Sequence, residues 1–224
     1  MPADVPGQWT RHPLTAVLES LTEGCCPGRV NLHCHTLCSD GSLSPVALAS
    51  QAADLGLEHL AITDHHSDRA FAEAQSVLQA RRAAGDVVPT LWRGTEISCL
   101  LSTCLVHVLG LGFEADHPAM APYLQGEAPR GAGLHAGAVA EAIHQAGGLA
   151  VLAHPARYRL PFAVLLQAAT ALHFDAAETW YDYEMGASWR PTGPTCRSID
   201  LARRGLGLLA TAGTDTHGFV LTGR

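Results

Sequence analysis

Seven apolar segments of strand length recur along the chain with helical patterns between most of them, and this alternation limits the fold more than any other feature. The strand-like segments are Arg29 to His35, Glu58 to Asp64, Val87 to Ile97, Cys104 to Phe113, Gly148 to His154, Asp175 to Trp180 and Leu208 to Thr214. Helical patterns fill Pro45 to Leu55, Asp68 to Ala84, Gly137 to Gln145, Phe162 to Leu172 and Thr195 to Arg204. Some open with a hydroxyl residue before proline, as at Ser44-Pro45, and several end in glycine, at Gly56, Gly85, Gly147 and Gly205. Such alternation implies parallel strands joined by crossover helices, and so an α/β fold. Spacing alone fits a small barrel and an open sheet equally.

A hydrophobic fraction of 47% in 224 residues supplies one sizeable core, and 16% charged residues argues against disorder. All fourteen basic residues are arginine. A Schiff-base lysine, a phosphate-loop lysine and a kinase lysine are therefore excluded. The formal charge of −7 argues against stable binding to duplex nucleic acid, which relies on positive side chains. Seven cysteines follow no CxxC spacing, and the N-terminus, with Asp4, Gln8 and Arg11, is unlike a secretory leader. The expectation is a soluble cytoplasmic protein with reduced thiols and no membrane partner.

The thirteen histidines are not scattered. His33 and His35 stand two apart at the end of the first strand, so both project to one face. Asp40 follows in a Ser-Asp-Gly turn. The second strand ends in Asp64-His65-His66, the third in Gly94-Thr95-Glu96, and the fourth carries His107. The fifth ends in His154-Pro155 and the seventh in Asp215-Thr216-His217. Strand ends on one edge are where α/β folds build active sites. Convergence of nine such imidazoles and carboxylates, at His33, His35, Asp40, His65, Glu96, His107, His154, Asp215 and His217, points to a multinuclear metal site.

These motifs resemble the PHP (polymerase and histidinol phosphatase) family. The matching pieces are Asn31-Leu-His-Cys-His-Thr36 with Ser39-Asp40-Gly41, Leu60-Ala-Ile-Thr-Asp-His65, Gly94-Thr-Glu96, His107, His154-Pro155 and Asp215-Thr-His217. The resemblance implies a distorted (β/α)7 barrel and two to three divalent ions, with manganese, iron and zinc all suited to such ligands. Carried over by position, His33, His35, Glu96 and Asp215 hold a first ion. Glu96 bridges to a second, with His107 and His154, while Asp40, His65 and His217 hold a third. A hydroxide between two bridged ions would serve as nucleophile. Three divalent ions would also bring the formal charge from −7 to −1.

The catalytic candidates are Glu96, Asp215, Arg157 as a phosphate clamp and His66 as a substrate contact or general acid. Arg159 is a weaker second clamp. Asp64 is expected to orient an imidazole, Cys34 to face the core and Cys38 to pack. Trp180 and Tyr181 either stack on a nucleobase or pack at the rim. His117, His135 and His144 read as surface positions unless part of a lid, and His12, His59 and His173 as structural or surface ones.

One phosphoesterase domain over 29–224 is expected, behind an N-terminal extension at 1–28. The irregular segment 114–137 stands where related proteins carry an inserted helical domain. The resemblance is strongest to small stand-alone bacterial members, through Asp40-Gly-Ser-Leu-Ser-Pro45 and Ala153-His-Pro-Ala-Arg-Tyr158. It implies a hydrolase acting on phosphomonoesters of nucleotides, such as nucleoside 3′,5′-bisphosphates, or on short oligonucleotides. Histidinol phosphate or another small phosphoester is the alternative substrate. A metal-dependent amidohydrolase and a non-catalytic polymerase-associated module are more remote alternatives.

Overall fold

The computed structural model describes residues 12–186 and 188–223. Residues 1–11 of the expected N-terminal extension, including Asp4, Gln8 and Arg11, lie outside the described residues. Seven strands pair in chain order: β1 (Val30–Asn31), β2 (His59–Ile62), β3 (Thr90–Leu101), β4 (Cys104–Leu111), β5 (Leu149–Leu152), β6 (Ala176–Trp180) and β7 (Leu209–Ala212). Backbone bonds close the barrel between its first and last strands: Leu32 N–H donates to Ala212 at 3.0 Å, and Asp215 N–H donates to His33 at 2.8 Å. Asn31 reinforces this seam by donating to Thr214 Oγ1 at 2.8 Å and accepting from the Thr214 amide at 3.1 Å.

The expectation of uniformly parallel strands fails at β4. It pairs antiparallel with both β3 and β5, while the other neighbouring pairs are parallel. Only Ser102 and Thr103 connect β3 to β4, far short of the roughly dozen residues that a parallel crossover needs. The seven-stranded α/β barrel is thus distorted at the β3–β4 hairpin, where no helix intervenes. Helices α2 (Pro45–Asp54), α3 (Ala70–Ala83), α4 (Ala136–Gln145), α5 (Phe162–Ala171) and α6 (Gly193–Gly205) follow β1, β2, β4, β5 and β6. The α2 start is as read: Ser44 Oγ accepts from the Ala47 amide at 3.1 Å ahead of Pro45. The left-handed glycine after α6 is Gly207 rather than Gly205.

A further helix, α1 (Pro13–Glu19), lies within the segment read as an extension. Its Leu14 and Leu18, with Leu21 just beyond, join Leu32, Leu109, Val151, Ala176 and Ala212 in the barrel interior. Alternate residues of each strand point inward, so this short helix caps their apolar ends. Two outer clusters complete the core: α2 and α3 pack near β2, and α4 and α5 pack on the β3–β5 side. The segment 114–137 is built of short turns, with Met120 and Tyr123 buried in the latter cluster. Among the described residues no helix is long and apolar enough to cross a membrane, and all seven cysteines are free.

Candidate metal centre

The nine residues singled out by the motifs converge at one end of the barrel, in and beneath a cavity of about 380 Å³. Glu96 is the hub. Its Oε2 lies 3.1 Å from both His33 Nε2 and His35 Nε2 and 3.6 Å from His65 Nδ1. Its Oε1 lies 2.8 Å from His107 Nδ1 and 3.1 Å from His154 Nε2. Asp215 Oδ1 completes the first group at 3.3 Å from His33 Nε2 and 3.1 Å from His35 Nε2. Asp40 Oδ2 faces His65 Nε2 at 3.6 Å and His217 Nε2 at 3.4 Å. His35 spans two groups, since its Nδ1 lies 3.6 Å from Asp40 Oδ1.

Local structure explains the convergence. His107 reaches the site from mid-strand because β4 runs backwards, so its early residues stand at the same barrel edge as the ends of β3 and β5. Gly213 allows the closest strand approach: a Cβ there would sit 2.2 Å from His33 Cβ. Gly41 does the same for the Asp40 turn, where a Cβ would meet the His35 carbonyl at 2.4 Å. His154 and Asp215 hold φ of 29° and 52°, a left-handed conformation that costs about 1–3 kcal/mol for such residues and clusters at functional sites.

The donor set fits divalent cations. His33, His35, Glu96, His154 and Asp215 are essentially buried, yet both ring nitrogens of His35 and Nδ1 of His154 lack hydrogen-bond partners. Nitrogen lone pairs aimed at carboxylate oxygens repel unless a proton or a cation stands between them. Without metal, protons fill that role. Burial opposes charge on His33, but Glu178, Glu96 and Asp215 hold its pKa well above the usual imidazole range. His35 is likewise raised to about 9, burial being outweighed by contacts with Asp215 and Glu96. Burial also opposes the charge on Glu96 and Asp215, yet His33 and neighbouring imidazoles hold both carboxyls well below their usual range. Burial depresses His65 to about 4, favouring the neutral imidazole that metals bind.

Arg157 lines the cavity. Its Nη1 donates to Asp215 Oδ2 and to Tyr181 Oη, each at 3.0 Å, and Tyr181 Oη donates to Asp215 Oδ2 at 2.6 Å. Tyr181 therefore steadies a site carboxylate rather than offering a stacking face, while Trp180 packs into the barrel interior. His66 is not among the cavity-lining residues. Its Nε2 accepts from the Ser98 amide at 3.3 Å, and its carbonyl accepts from Gly126. Arg159 donates to the Thr103 carbonyl at the β3–β4 turn.

Asp64 orients no imidazole. It accepts from the Thr36 amide at 2.7 Å and from the Thr36 and Ser39 hydroxyls, each at 2.6 Å, and so holds the turn carrying Asp40. Cys34 faces the core as expected, donating to Ala61. His12 caps α1 through Nδ1 at 3.1 Å from the Leu14 amide, and His144 pairs with Asp175 at 2.8 Å.

The sequence reading passed over Glu178. This fully buried β6 carboxylate accepts from His33 Nδ1 at 3.0 Å and from the His154 amide at 2.8 Å. The available signal was a lone carboxylate inside Ala-Ala-Glu-Thr-Trp, in register with the inward-facing Ala176 and Trp180.

The fold and site together define a seven-stranded α/β barrel with a clustered set of candidate metal ligands at one end. Residues 31–128 match the family model described as PHP domain, the stretch that holds the motifs from Asn31 to His107. It is 35% identical over 100 residues to the 5′-3′ exoribonuclease Rnm of Escherichia coli, a match covering 45% of this chain and 33% of that protein. It is 36% identical over 96 residues to the 3′,5′-nucleoside bisphosphate phosphatase of Chromobacterium violaceum, covering 43% and 32% respectively. The matched stretch thus spans about a third of these curated relatives.

Two solved structures share the fold more completely. An amidohydrolase from Chromobacterium violaceum superposes with TM-score 0.70 at 21% identity, covering 85% of this chain and 88% of that one. A candidate metal-dependent phosphoesterase from Bifidobacterium adolescentis gives TM-score 0.69 at 21% identity, covering 88% and 90%.

Proposed function

We propose that the protein is a metal-dependent phosphoesterase that removes phosphate from nucleotides, such as nucleoside 3′,5′-bisphosphates, or hydrolyses short oligonucleotides. The observation carrying this reading is the division of Glu96, with one oxygen toward His33 and His35 and the other toward His107 and His154. That is the arrangement a carboxylate needs to bridge two cations. The names of the exoribonuclease and bisphosphate phosphatase relatives favour nucleotide substrates.

In this reading His33, His35, Glu96 and Asp215 hold one divalent ion, and Glu96, His107 and His154 a second. Asp40, His65 and His217 hold a third, with His35 Nδ1 beside it. Manganese, iron or zinc would suit these ligands. Bound ions supply Lewis acidity toward phosphoryl oxygens and an activated water at neutral pH.

The chain's own groups do the rest. Arg157, partly exposed at the cavity wall, offers its guanidinium to a phosphate oxygen, where a forked donor gives both charge and geometry. Tyr181 keeps Asp215 Oδ1 turned toward His33 and His35 by holding Oδ2. His66 stays outside this scheme because Ser98 occupies its Nε2. The seven free thiols suit a reducing cytoplasmic setting.

The test is a comparison of kcat/KM for adenosine 3′,5′-bisphosphate, a 5′-phosphorylated RNA trinucleotide and histidinol phosphate, using manganese-loaded protein. The reading expects either nucleotide substrate to exceed histidinol phosphate at least about tenfold, a difference of roughly 1.4 kcal/mol in transition-state binding. Preference for histidinol phosphate would overturn the nucleotide assignment.

A further inference from the structure

We infer that Glu178 is the positioning residue of the metal centre: one buried carboxylate that sets the ring tautomer of His33 and the backbone of His154 at once. This rests on the metal-binding reading above and extends it to a residue outside the nine motif positions.

Glu178 lies beneath the cavity, fully buried on β6, with two neighbours that are themselves candidate ligands. Its Oε1 and Oε2 lie 3.0 and 3.2 Å from His33 Nδ1, and Oε2 accepts from the His154 backbone amide at 2.8 Å. A carboxylate facing Nδ1 selects the neutral tautomer with its proton on that nitrogen. The lone pair of Nε2 is then directed at the space bounded by Glu96 Oε2 and Asp215 Oδ1. The same carboxylate anchors the amide of His154, whose φ of 29° is an unfavourable conformation for a residue with a side chain. That anchor aims the His154 ring, with Nε2 3.1 Å from Glu96 Oε1. One group thus serves ligands on both sides of the Glu96 bridge.

His33, His154 and Glu178 also lie close enough together to suggest a cation site of their own. The His154 amide argues against it: its N–H points at Oε2, and the positive end of that dipole would face the ion. Glu178 therefore acts through its neighbours rather than as a ligand.

Glu178→Gln keeps the shape and removes one acceptor. If the amide oxygen stays on the His154 N–H, the NH2 group faces His33 Nδ1 and drives the ring proton to Nε2, where the ligand lone pair belongs. In the opposite orientation two donors, the NH2 group and the His154 amide, meet head on. Either way zinc affinity falls about 10- to 100-fold, the usual cost of losing a group that supports a ligand.

The test uses full-length protein loaded with zinc and labelled with 15N at histidine. Imidazole 15N shifts in the wild type report the His33 atom that binds metal, and competitive chelator titration reports affinity for both proteins. The inference expects wild-type His33 bound through Nε2 with Nδ1 protonated, together with weakened zinc binding by a Glu178→Gln protein that keeps wild-type circular dichroism. Wild-type His33 bound through Nδ1 overturns it without any variant, as does a variant whose zinc affinity stays within twofold. If the wild type binds neither zinc nor manganese, the functional reading fails by itself. The positioning role is then judged on metal-free protein: the His154 amide proton moves upfield in Glu178→Gln if the carboxylate holds it, and an unmoved resonance overturns the role.

Discussion

His107 Nδ1 lies 2.8 Å from Glu96 Oε1, reached from a strand that runs opposite to the one carrying Glu96. In strand register His107 pairs with Ser98, two residues beyond Glu96. Reversal of β4 thus brings a mid-strand histidine to the rim without an extra loop, and gives the Glu96 oxygen turned away from His33 and His35 a partner of its own.

Loss of that hub carboxylate should be the most damaging single change. Glu96→Ala is expected to lower turnover by more than about 100-fold, beyond the range for supporting residues, and to reduce bound metal by at least one ion per chain. Activity assays with metal analysis by plasma mass spectrometry check it. Near-wild-type turnover would show that Glu96 bridges nothing.

Arg157→Ala should raise KM about 10- to 100-fold, the worth of a charge-assisted hydrogen bond to phosphate, with metal content unchanged. Tyr181→Phe removes the donor to Asp215 Oδ2 but leaves the guanidinium, so it should weaken metal binding more than substrate binding. Steady-state kinetics paired with metal titration separates the two. Equal metal loss in both variants would place Arg157 with the structural groups.

The effect of pH on stability has a definite sign. His35 has an imidazolium form held up to about 9, against the usual value of 6.5. A raised folded-state pKa contributes stability that is complete below 6.5 and is lost as pH climbs through 9. Metal-loaded protein keeps this imidazole neutral and bound, so it does not suffer that loss. The Tm difference between metal-loaded and metal-free protein should widen from pH 6.5 to 9.5. Calorimetry that found the gap constant or shrinking would refute the assigned ligand role of His35.

Helix α1 should matter for stability and not for chemistry. Leu18 is 1% exposed in the barrel interior, and Leu18→Ala is expected to cost about 2–5 kcal/mol in urea unfolding. Metal affinity of the folded variant should match the wild type. A cost near zero would mean that the helix caps nothing.

The motifs exposed most of the site because its residues sit where period-two alternation or a strand end places them. His33 and His35 share a face, and the remaining strand ends follow from counting. The direction of β4 was also present in the spacing. Only Ser98 to Thr103 separate the expected third and fourth strands, too few for a crossover, yet the absence of a glycine-bearing turn hid the hairpin.

Glu178 and Asp64 were harder for a different reason. Each is defined by partners far away in sequence, and nothing local distinguishes a carboxylate that fixes His33 from one that holds the Thr36–Ser39 turn. Tyr181 is similar: its hydroxyl rather than its ring meets the site. Helix α1 escaped notice because seven residues are too few for a clear 3.6-residue period.

The central claim is that this cluster binds divalent ions and uses them to cleave phosphoesters. Phosphate release from adenosine 3′,5′-bisphosphate tests it most directly, with one preparation assayed as purified, after chelation and after manganese is restored. The account predicts release that chelation abolishes and manganese recovers. Release unaffected by complete metal removal, or none from protein shown to hold two or more ions per chain across the nucleotide and small-phosphoester panel, would contradict it.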